Sequence, residues 1–318
     1  MSRYMAMDLR HLRYFITVAE EGHITRAAER LGIQQPPLSQ MIKAIERELD
    51  AHLFERKPRG VELTDAGRAF LENARAVLAQ LDRTFETTRR TARGEQGQIT
   101  VGYSSSTAFH PLVPRVIREF RAAFPLVSVT LTEDFPDDLI ERMRNDQLDV
   151  VFIGTSVANP EEVVVDLLLT EAMVVALPSG HPLARRVSGD EVVLPLRALA
   201  NETFILFGRS QGAMTLQSNA VVAACQAAGF NPRIGLIAPH ISSRLNFVAA
   251  GLGVAVVADS LRRMNIEGVA YRRLKGAAQL KVPIVLVSRR GDSSTVVRQF
   301  RRFAKRIAGS FTKPRERH

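Results

Sequence analysis

The sequence predicts an α+β multidomain protein, and three observations support this fold class. Apolar residues recur at helical spacing over residues 8–93, and the part from 64 to 93 contains no proline. After residue 98, short apolar runs alternate with helix-like stretches, as they do in sheets covered by helices. The 318 residues also exceed one ordinary domain, so we expect two or three folded parts.

The composition is that of a soluble globular protein. Hydrophobic residues make up 46% and charged residues 24% of the chain. No apolar run is long enough for a membrane-spanning helix, and the first residues lack the apolar core of a signal peptide. We therefore expect a cytoplasmic protein without membrane contact. The one cysteine, Cys225, lies in an apolar helical pattern and is expected to be a core thiol.

No sequence motif supports an enzyme. The chain has no phosphate-binding loop, no G-x-S-x-G motif and no H-E-x-x-H motif, and its 7 histidines are scattered. We therefore expect no catalytic residues, no metal and no cofactor.

The formal net charge of +10 points to a polyanionic partner. The middle of the chain is nearly neutral, whereas residues 289–318 contain ten basic and two acidic residues. This C-terminal excess has two open interpretations: it contacts nucleic acid, or it is a solvated helix face followed by a frayed tail. The basic residues concerned are Arg298, Arg301, Arg302, Lys305, Arg306, Lys313, Arg315 and Arg317.

Two short helices are predicted first. Apolar positions at helical spacing from Leu9 to Ala19 indicate the first helix, which ends at Gly22. The second helix is expected to begin with Thr25 as its N-cap and to end at Gly32. A glycine-containing turn between this helix and the next is the signature of a helix-turn-helix.

The third predicted helix carries the candidate DNA contacts. It opens with Gln35-Pro36-Pro37, since proline is tolerated in the first turn of a helix. Its buried stripe is expected to consist of Leu38, Met41, Ile42, Ile45 and Leu49. Turning that stripe inward leaves Ser39, Gln40 and Lys43 on the opposite surface, where a recognition helix meets base edges and phosphates.

A small basic hairpin, or wing, is expected after the third helix. Leu53-Phe54 and residues 61–63 flank a polar turn whose basic residues would face the DNA backbone or a minor groove. These residues are Arg56, Lys57 and Arg59. Each of them taken singly could serve only solubility, but three helices and a basic wing in one block favour DNA binding.

This block resembles the DNA-binding domain of LysR-type transcriptional regulators. The resemblance includes QPPLS at 35–39 and LTDAG at 63–67. It implies contacts with double-stranded DNA by the following residues: Gln35, Pro36, Pro37, Ser39 and Gln40 in the recognition helix, and Arg59 in the wing. Many relatives have arginine where this chain has Gln40, so base preference there is expected to differ, because glutamine pairs with adenine and arginine with guanine.

The resemblance further implies a promoter-binding dimer or tetramer that responds to a small-molecule effector and contacts RNA polymerase. We expect the effector to be an organic anion. An effector-independent DNA-binding repressor is the alternative. A secreted solute-binding protein would need a signal peptide, and a nucleoid-type protein would not need two hundred or so further residues of α/β sequence.

A long helix is expected from Thr64 to about Arg93, with Asp65 favourable in its first turn. Nearly thirty residues would span roughly 40 Å. Apolar residues spaced by three or four form a seam close to that of a coiled coil: Phe70, Ala74, Val77, Leu81 and Phe85. We expect this seam to pair with a second copy of the chain; packing against its own domain is the alternative.

These patterns divide the chain into a DNA-binding domain at 8–65, a dimerisation helix at 66–93, a glycine-containing hinge at 94–98 and an α/β remainder. Strands are predicted at 99–103, 127–131, 148–153, 173–177, 203–207, 253–257 and 283–287, with helices at 113–124, 136–145 and 214–228. This alternation predicts parallel sheets covered on both faces. The resemblance adds two lobes like those of periplasmic binding proteins: lobe I from 99–163 and 269–310, and lobe II from 164–268.

Effector candidates lie where predicted strands end. The first strand ends in Ser104-Ser105-Ser106-Thr107, whose hydroxyls and backbone donors could hold a carboxylate or could simply cap a helix. The resemblance favours a ligand role for Ser104 and Thr107 and also points to Phe135, Phe207 and Arg209. Arg209 could pair with an anion or lie free on the surface. His240 is a weaker candidate, in front of a helix expected to be capped at Ser242 or Ser243.

Overall fold

A computed structural model describes residues 7–58, 60–157, 160–185, 193–209, 214–275 and 280–312. The chain divides into two compact units, with the boundary between Arg90 and Thr91.

The first unit contains the three predicted helices, the hairpin and most of the long helix. Its elements are α1 (Leu9–Glu21), α2 (Ile24–Leu31), α3 (Gln35–Leu49), β1 (Phe54–Lys57), β2 (Gly60–Leu63) and α4 (Asp65–Arg93). Phe15 is fully buried, and its ring lies 5.1 Å from that of Phe54 and 4.8 Å from that of Phe70. One aromatic cluster therefore joins α1, the hairpin and α4.

Local hydrogen bonds set the helix starts. Asp8 caps α1 by accepting two backbone N–H groups. The prediction that Thr25 caps α2 is wrong, because His23 is the N-cap and its Nδ1 accepts the N–H of Thr25 at 3.3 Å. A histidine ring can replace the usual hydroxyl or carboxylate here, although it is not among the preferred capping residues. Helix α3 begins at Gln35, with proline in its first turn, as predicted.

Two glycines allow the hairpin to pack closely. Gly60 has a φ of +140°, and a Cβ at this position would lie 2.2 Å from the carbonyl oxygen of Gly22. The same carbonyl accepts the N–H of Val61 at 2.9 Å. Gly67 passes so near the Leu53 carbonyl that a Cβ would lie 2.0 Å from its oxygen. A side chain at either glycine would force the hairpin away from the helices.

Helix α4 is capped as predicted and is only partly covered by its own unit. The Thr64 hydroxyl accepts the N–H of Gly67 at 2.9 Å. The 29 residues of α4 span ~44 Å at ~1.5 Å per residue. Ala74 is buried, whereas Val77 and Phe85 are 48% and 54% exposed. The alternative of packing within its own domain therefore holds for Ala74 but not for Val77 and Phe85, while Leu81 between them is half-buried.

The second unit is an α/β domain. Its strands are β3 (Gln96–Tyr103), β4 (Leu126–Glu133), β5 (Val150–Ile153), β6 (Val163–Pro178), β7 (Val193–Pro195), β8 (Thr203–Phe207), β9 (Arg233–Ala238), β10 (Ala255–Ala258), β11 (Val269–Lys275) and β12 (Lys281–Arg289). Its helices are α5 (Ser105–Ala108), α6 (Leu112–Ala123), α7 (Pro136–Arg144), α8 (Leu216–Ala227), α9 (Ile241–Ala249) and α10 (Thr295–Thr312).

Strand β6 runs through both lobes of this domain. As far as Ala172 it pairs with β12, and from Met173 onward it pairs with β10 and β11. Lobe I contains the strand order β4-β3-β5-β12-β6, with α6, α7 and α10 packed on it. Lobe II contains the end of β6 with β10, β11 and β7, and the parallel pair β8-β9, with α8 and α9. Each lobe has its own apolar core.

Several expectations about this domain are corrected. The sheets are mixed rather than parallel, because β12 runs antiparallel to β5 and β6, and β10 and β11 run antiparallel to β6. The lobe boundaries also move: residues 164–172 pair within lobe I and β11 pairs within lobe II. The apolar pattern of a strand does not show that the strand changes its pairing partners halfway along its length. Strand β3 takes in Gln96–Gln98, so only Gly94 and Glu95 remain of the expected hinge.

Candidate functional site

The outer face of α3 presents the predicted DNA-contacting residues. Leu38, Ile42 and Ile45 are buried against the first unit's core. Ser39 is half-buried, and the remaining candidates of this helix are exposed: Gln35, Pro36, Pro37, Gln40 and Lys43. The buried stripe is narrower than predicted, since Met41 is only half-buried and Leu49 is 36% exposed.

Helix α3 is held to the hairpin by a carboxylate. Oε1 of Glu46 accepts the backbone N–H of Leu53 at 2.8 Å and that of Phe54 at 3.3 Å. A two-point contact of this kind fixes how far α3 can rotate against β1. On the other side, Glu20 of α1 accepts hydrogen bonds from Arg30 of α2 and Arg75 of α4, at 3.1 and 3.0 Å. These hydrogen bonds therefore fix α3 to the hairpin and connect the other three helices of the first unit to one another.

Among its described residues, the hairpin supplies less free positive charge than its sequence indicates. Arg56 is exposed. Nζ of Lys57 lies 3.1 Å from Oε2 of Glu55 and 3.8 Å from Oε2 of Glu62. The hydrogen bond to Glu55 and the nearby Glu62 carboxylate raise the pKa of Lys57, and the pair largely cancels its charge. Arg59 lies outside the described residues.

A cavity of about 330 Å³ lies at the strand ends of the second unit, between lobe I and lobe II, and is called the cleft below. Both lobes line it with residues that follow strands. The predicted residues Ser104, Ser105, Phe135, Phe207 and Arg209 are all among its lining, as is His240. Helix α9 begins after His240 as its N-cap, so the expected cap at Ser242 or Ser243 is wrong.

The hydroxyl cluster at the end of β3 is only partly available to a ligand. Oγ of Ser104 and Oγ of Ser106 are 3.4 Å apart at the cleft. Ser105 donates to Oε1 of Glu133 at 2.5 Å. The expectation that Thr107 contacts a ligand is wrong. Thr107 is 1% exposed, is not part of the cleft lining, and donates to the Ser104 carbonyl at 2.7 Å. Its hydroxyl therefore stabilises the turn, but no side chain of the cluster caps α5, so the capping interpretation is not confirmed either.

Aromatic rings from the two lobes meet in the cleft. The rings of Phe135 and Phe207 stack at 5.6 Å between centroids with planes 19° apart. The Arg209 guanidinium carbon lies 4.8 Å from the Phe135 ring centroid, and Nη2 is 2.6 Å from Oδ2 of Asp138. Arg209 therefore already pairs with a carboxylate of the protein itself. A flat apolar group and a charged group could both find complementary surfaces here.

Sequence reasoning missed other lining residues. Lobe I adds Glu133, Asp134, Asp137, Gly154 and Thr155, and lobe II adds Met214, Thr215, Leu216, Gln217 and Pro239. Gly154 has a structural reason: a Cβ there would lie 2.9 Å from Oγ of Ser106, so a side chain would displace that hydroxyl. Its position directly after the predicted strand at 148–153 was the available signal, by the same rule that located Ser104.

Each described helix is either too short or too polar to be a transmembrane segment. No three His, Cys, Asp or Glu side chains of the described residues come together in a way that could hold a metal ion.

Two family models match the chain. The model described as LysR substrate binding domain matches residues 92–308. The model described as bacterial regulatory helix-turn-helix protein, lysR family, matches residues 9–68.

Individual proteins match over nearly the full length. The HTH-type transcriptional regulator BudR of Raoultella terrigena is 34% identical over 294 residues, which are 92% of this chain and 99% of BudR. The crystal structure of CbnR, a LysR family transcriptional regulator, has a TM-score of 0.81 and 29% identity, covering 94% of this chain and all of that one. Full-length CbnR complexed with its target DNA has a TM-score of 0.80 and 28% identity, covering 95% of this chain and all of that one.

Proposed function

Because the chain belongs to the LysR family of bacterial transcriptional regulators, we propose that α3 and the β1–β2 wing bind promoter DNA and that a small organic anion in the cleft modulates this binding. The observation that carries the proposal is the split of α3 into two faces. Its apolar side is fixed in the core, and its polar side, with Gln40 and Lys43, is exposed.

The exposed face of α3 suits a major groove. Side chains near the N-terminus of a recognition helix reach base edges, and the helix terminus itself favours phosphate. Gln40 can form two hydrogen bonds with an adenine, while Lys43 one turn later can contact a phosphate. Arg56 and Arg59 are proposed as backbone or minor-groove contacts of the wing. A full-length relative, CbnR, is known in complex with its target DNA, which supports the same role for this chain.

The cleft suits a small anion with a flat apolar part. The backbone N–H groups of Ser105 and Ser106 begin α5, where a helix offers its first donors no acceptor of its own. With the Ser104 and Ser106 hydroxyls, they form a donor cluster for a carboxylate. The stacked pair Phe135 and Phe207 offers the apolar surface. We therefore propose an aromatic acid or a small dicarboxylate as the effector class.

The protein is further proposed to work as a homodimer or homotetramer. The exposed end of the α4 seam supports this, since Val77 and Phe85 would be covered by a second α4. The second unit also has two apolar sheet edges: Leu126 and Leu131 of β4, and Ile234 and Leu236 of β9, are each at least 37% exposed. Unpaired edges that expose apolar side chains favour contact with another copy.

In this proposal, the oligomer holds recognition helices at spaced half-sites, and the effector favours one arrangement of the lobes over another. The change in lobe arrangement would alter DNA bending and contact with RNA polymerase, in the cytoplasm where the promoter lies. An effector-independent repressor is the alternative, and it predicts that no small acid changes the melting temperature or the DNA affinity.

DNA binding is tested by fluorescence anisotropy with fragments of the promoter beside the gene at low ionic strength. Gln40→Ala should weaken specific binding by about 5- to 150-fold, which corresponds to ~1–3 kcal/mol for one lost bidentate base contact. Gln226→Ala, the same change at an exposed position of α8, is the matched control and should bind as the wild type does. A wild-type protein that ignores duplex DNA even at low salt would overturn the proposed function.

The cleft is tested by thermal-shift measurements against a panel of aromatic and dicarboxylic acids. A ligand that binds only the native protein raises its melting temperature. Ser104→Ala and Arg209→Ala should each remove that rise without changing the affinity for promoter DNA. A normal rise in both variants would mean that the effector binds elsewhere.

A further inference from the structure

One charged surface is not used by the proposed function: the outer face of α10. The inner face of this helix is fixed in the core of lobe I by Val297, Phe300, Phe303, Ala304, Ile307 and Ala308. The outer face carries five cations within nine residues, called the basic stripe below: Arg298, Arg301, Arg302, Lys305 and Arg306. Four of the five are exposed, and Arg301 is half-buried.

A single buried carboxylate neutralises part of the stripe. Oδ2 of Asp166 lies 2.7 Å from Nε of Arg301, and its Oδ1 lies 2.7 Å from Nζ of Lys305. Within the described chain, no carboxylate pairs with the other three cations. Arg298 donates to the Ser293 carbonyl, and the Arg306 guanidinium lies 4.5 Å from the Phe303 ring centroid. The stripe is therefore positively charged, and contacts restrain four of its five side chains.

The neighbouring helix extends the positive surface. The ring of Phe120 on α6 lies 4.8 Å from that of Phe300 and 5.5 Å from that of Phe303, so α6 and α10 lie side by side. Arg118 and Arg121 of α6 are exposed. Glu119 pairs with Arg115 at 2.7 Å and lies 3.6 Å from Arg118, so Arg121 is the α6 cation with no acidic partner among the described residues.

We propose that the basic stripe is a second DNA-binding surface, which holds the phosphate backbone of a duplex without reading bases. The stripe from Arg298 to Arg306 rises ~12 Å along the helix, a length over which one DNA strand presents three to four phosphates. Four of its five cations are arginines, whose guanidinium groups bind phosphate oxygens in pairs.

The composition of this face favours DNA over other polyanions. Between the cations the face exposes no large apolar side chain among the described residues of α10. A membrane-surface helix needs such residues to enter the lipid, and a protein interface needs them for its dry centre. A phosphate backbone needs neither, because its contacts are ionic and remain hydrated.

The test uses the full-length protein and a 40-bp duplex that lacks the promoter sequence, with anisotropy measured from 50 to 200 mM KCl. The stripe variant is Arg298→Ala, Arg302→Ala and Arg306→Ala combined. Each lost phosphate contact lowers the slope of log affinity against log salt by ~0.9, so the slope should fall by at least about 2. The ratio of wild-type to variant affinity should fall roughly 40-fold across this salt range if all three contacts are lost.

The matched control removes the same charge elsewhere on the second unit: Arg185→Ala, Arg233→Ala and Lys281→Ala, three exposed positions off α10. The control should keep the wild-type slope. Equal slope changes in both triple variants would mean that net charge alone explains the effect, and would overturn the proposal. So would an unchanged slope in the stripe variant.

Poly-L-glutamate serves as a second probe. If the stripe variant loses affinity for poly-L-glutamate but keeps the wild-type slope on the duplex, the stripe binds an acidic protein segment and not DNA. These results are separate from failure of the proposed function. If the proposed function failed, the wild type itself would not bind promoter DNA. The stripe proposal concerns only the salt dependence of binding to a duplex without the promoter sequence. Equal melting temperatures of the three proteins show that each variant is folded.

Discussion

Asp138 of lobe I and Arg209 of lobe II form an ion pair across the cleft, with 2.6 Å between Oδ2 and Nη2. The same guanidinium lies over the ring of Phe135, which stacks on Phe207 of the opposite lobe. The residue expected to bind an effector anion is therefore held by an acidic residue of the protein itself. A ligand carboxylate would have to compete with Asp138 for Arg209.

Asp138→Asn should strengthen binding of the most active acid from the thermal-shift panel. The pair is partly exposed, with side-chain exposures of 34% and 42%, so its strength is ~0.2–1 kcal/mol and the gain is at most about fivefold. Asp137→Asn, a neighbouring carboxylate of the same cleft, controls for the general loss of negative charge. Titration calorimetry measures both, and an equal gain in both variants would show that the ion pair does not compete with the ligand.

Phe85→Glu should weaken self-association. Phe85 is 54% exposed and continues the apolar seam of α4, so a carboxylate there would be buried without a partner in a paired helix. Ala79→Glu places the same group on the opposite side of α4 and should leave the assembly unchanged. Light scattering at micromolar concentration measures the mass. A wild-type protein with the mass of one chain would contradict the proposed dimer directly.

Asp166→Asn should destabilise the protein at neutral pH by ~1.5–3 kcal/mol, the range for hydrogen bonds to a charged group. Burial raises the pKa of this carboxyl, but the hydrogen bonds from Arg301 and Lys305 outweigh burial and lower it below the ordinary value of 3.8. The ionised form therefore stabilises the folded state above about pH 4, and this stability is lost as the pH falls through the lower folded pKa.

Urea unfolding at several pH values measures this difference. The gap between wild type and Asp166→Asn should be constant from pH 5 to 7 and should close in acid. Asp82→Asn, at an exposed position of α4, should show no gap at any of these values. A gap that persists unchanged in acid would mean that shape, rather than ionisation, explains the effect.

Arg244→Met should be neutral or stabilising. Arg244 is 4% exposed, its Nη2 donates to the Val256 carbonyl at 2.8 Å, and its buried Nε lacks a partner in the described structure. Burial lowers the pKa of Arg244 to about 10, which reflects the cost of holding a cation there. Replacing a buried ion pair with apolar residues of similar volume is often neutral or gains ~1–4 kcal/mol, and Arg244 has no carboxylate partner among the described residues that its replacement would leave unpaired. Arg244→Ala, which also leaves a cavity, should be less stable than Arg244→Met in urea.

A large loss of stability in Arg244→Met would contradict this account. It would mean that the cation has an important partner in solution, such as an anion bound inside lobe II.

The first unit could be predicted closely because its information is local. Helical spacing, the prolines after Gln35 and the threonine cap at Thr64 each depend on residues within a few positions of one another. The cap of α2 is the exception: Thr25 has the preferred chemistry, yet the ring of His23, two residues earlier, takes the position. Propensity ranks residue types, but the chain geometry decides which side chain reaches the free N–H groups.

The cleft could be predicted only in part. Strand ends indicated Ser104 and Phe207 because ligands of α/β sheets lie beyond them. The same rule could not tell that Thr107 turns inward to the Ser104 carbonyl, or that Arg209 meets Asp138 of the other lobe. The contact of Arg209 with Asp138 joins residues that are 71 positions apart in the chain.

The sequence by itself determined the helix-turn-helix, the long helix and the presence of an α/β domain, because apolar periodicity and capping act over one or two helical turns. Only the tertiary structure decided that β6 serves two sheets, that Asp166 holds two cations of α10, and that the cleft brings Phe135 against Phe207. The physical reason is that strand pairing and ion pairs join groups far apart in the chain. Their partners are selected by the packing of the whole domain, which no local pattern encodes.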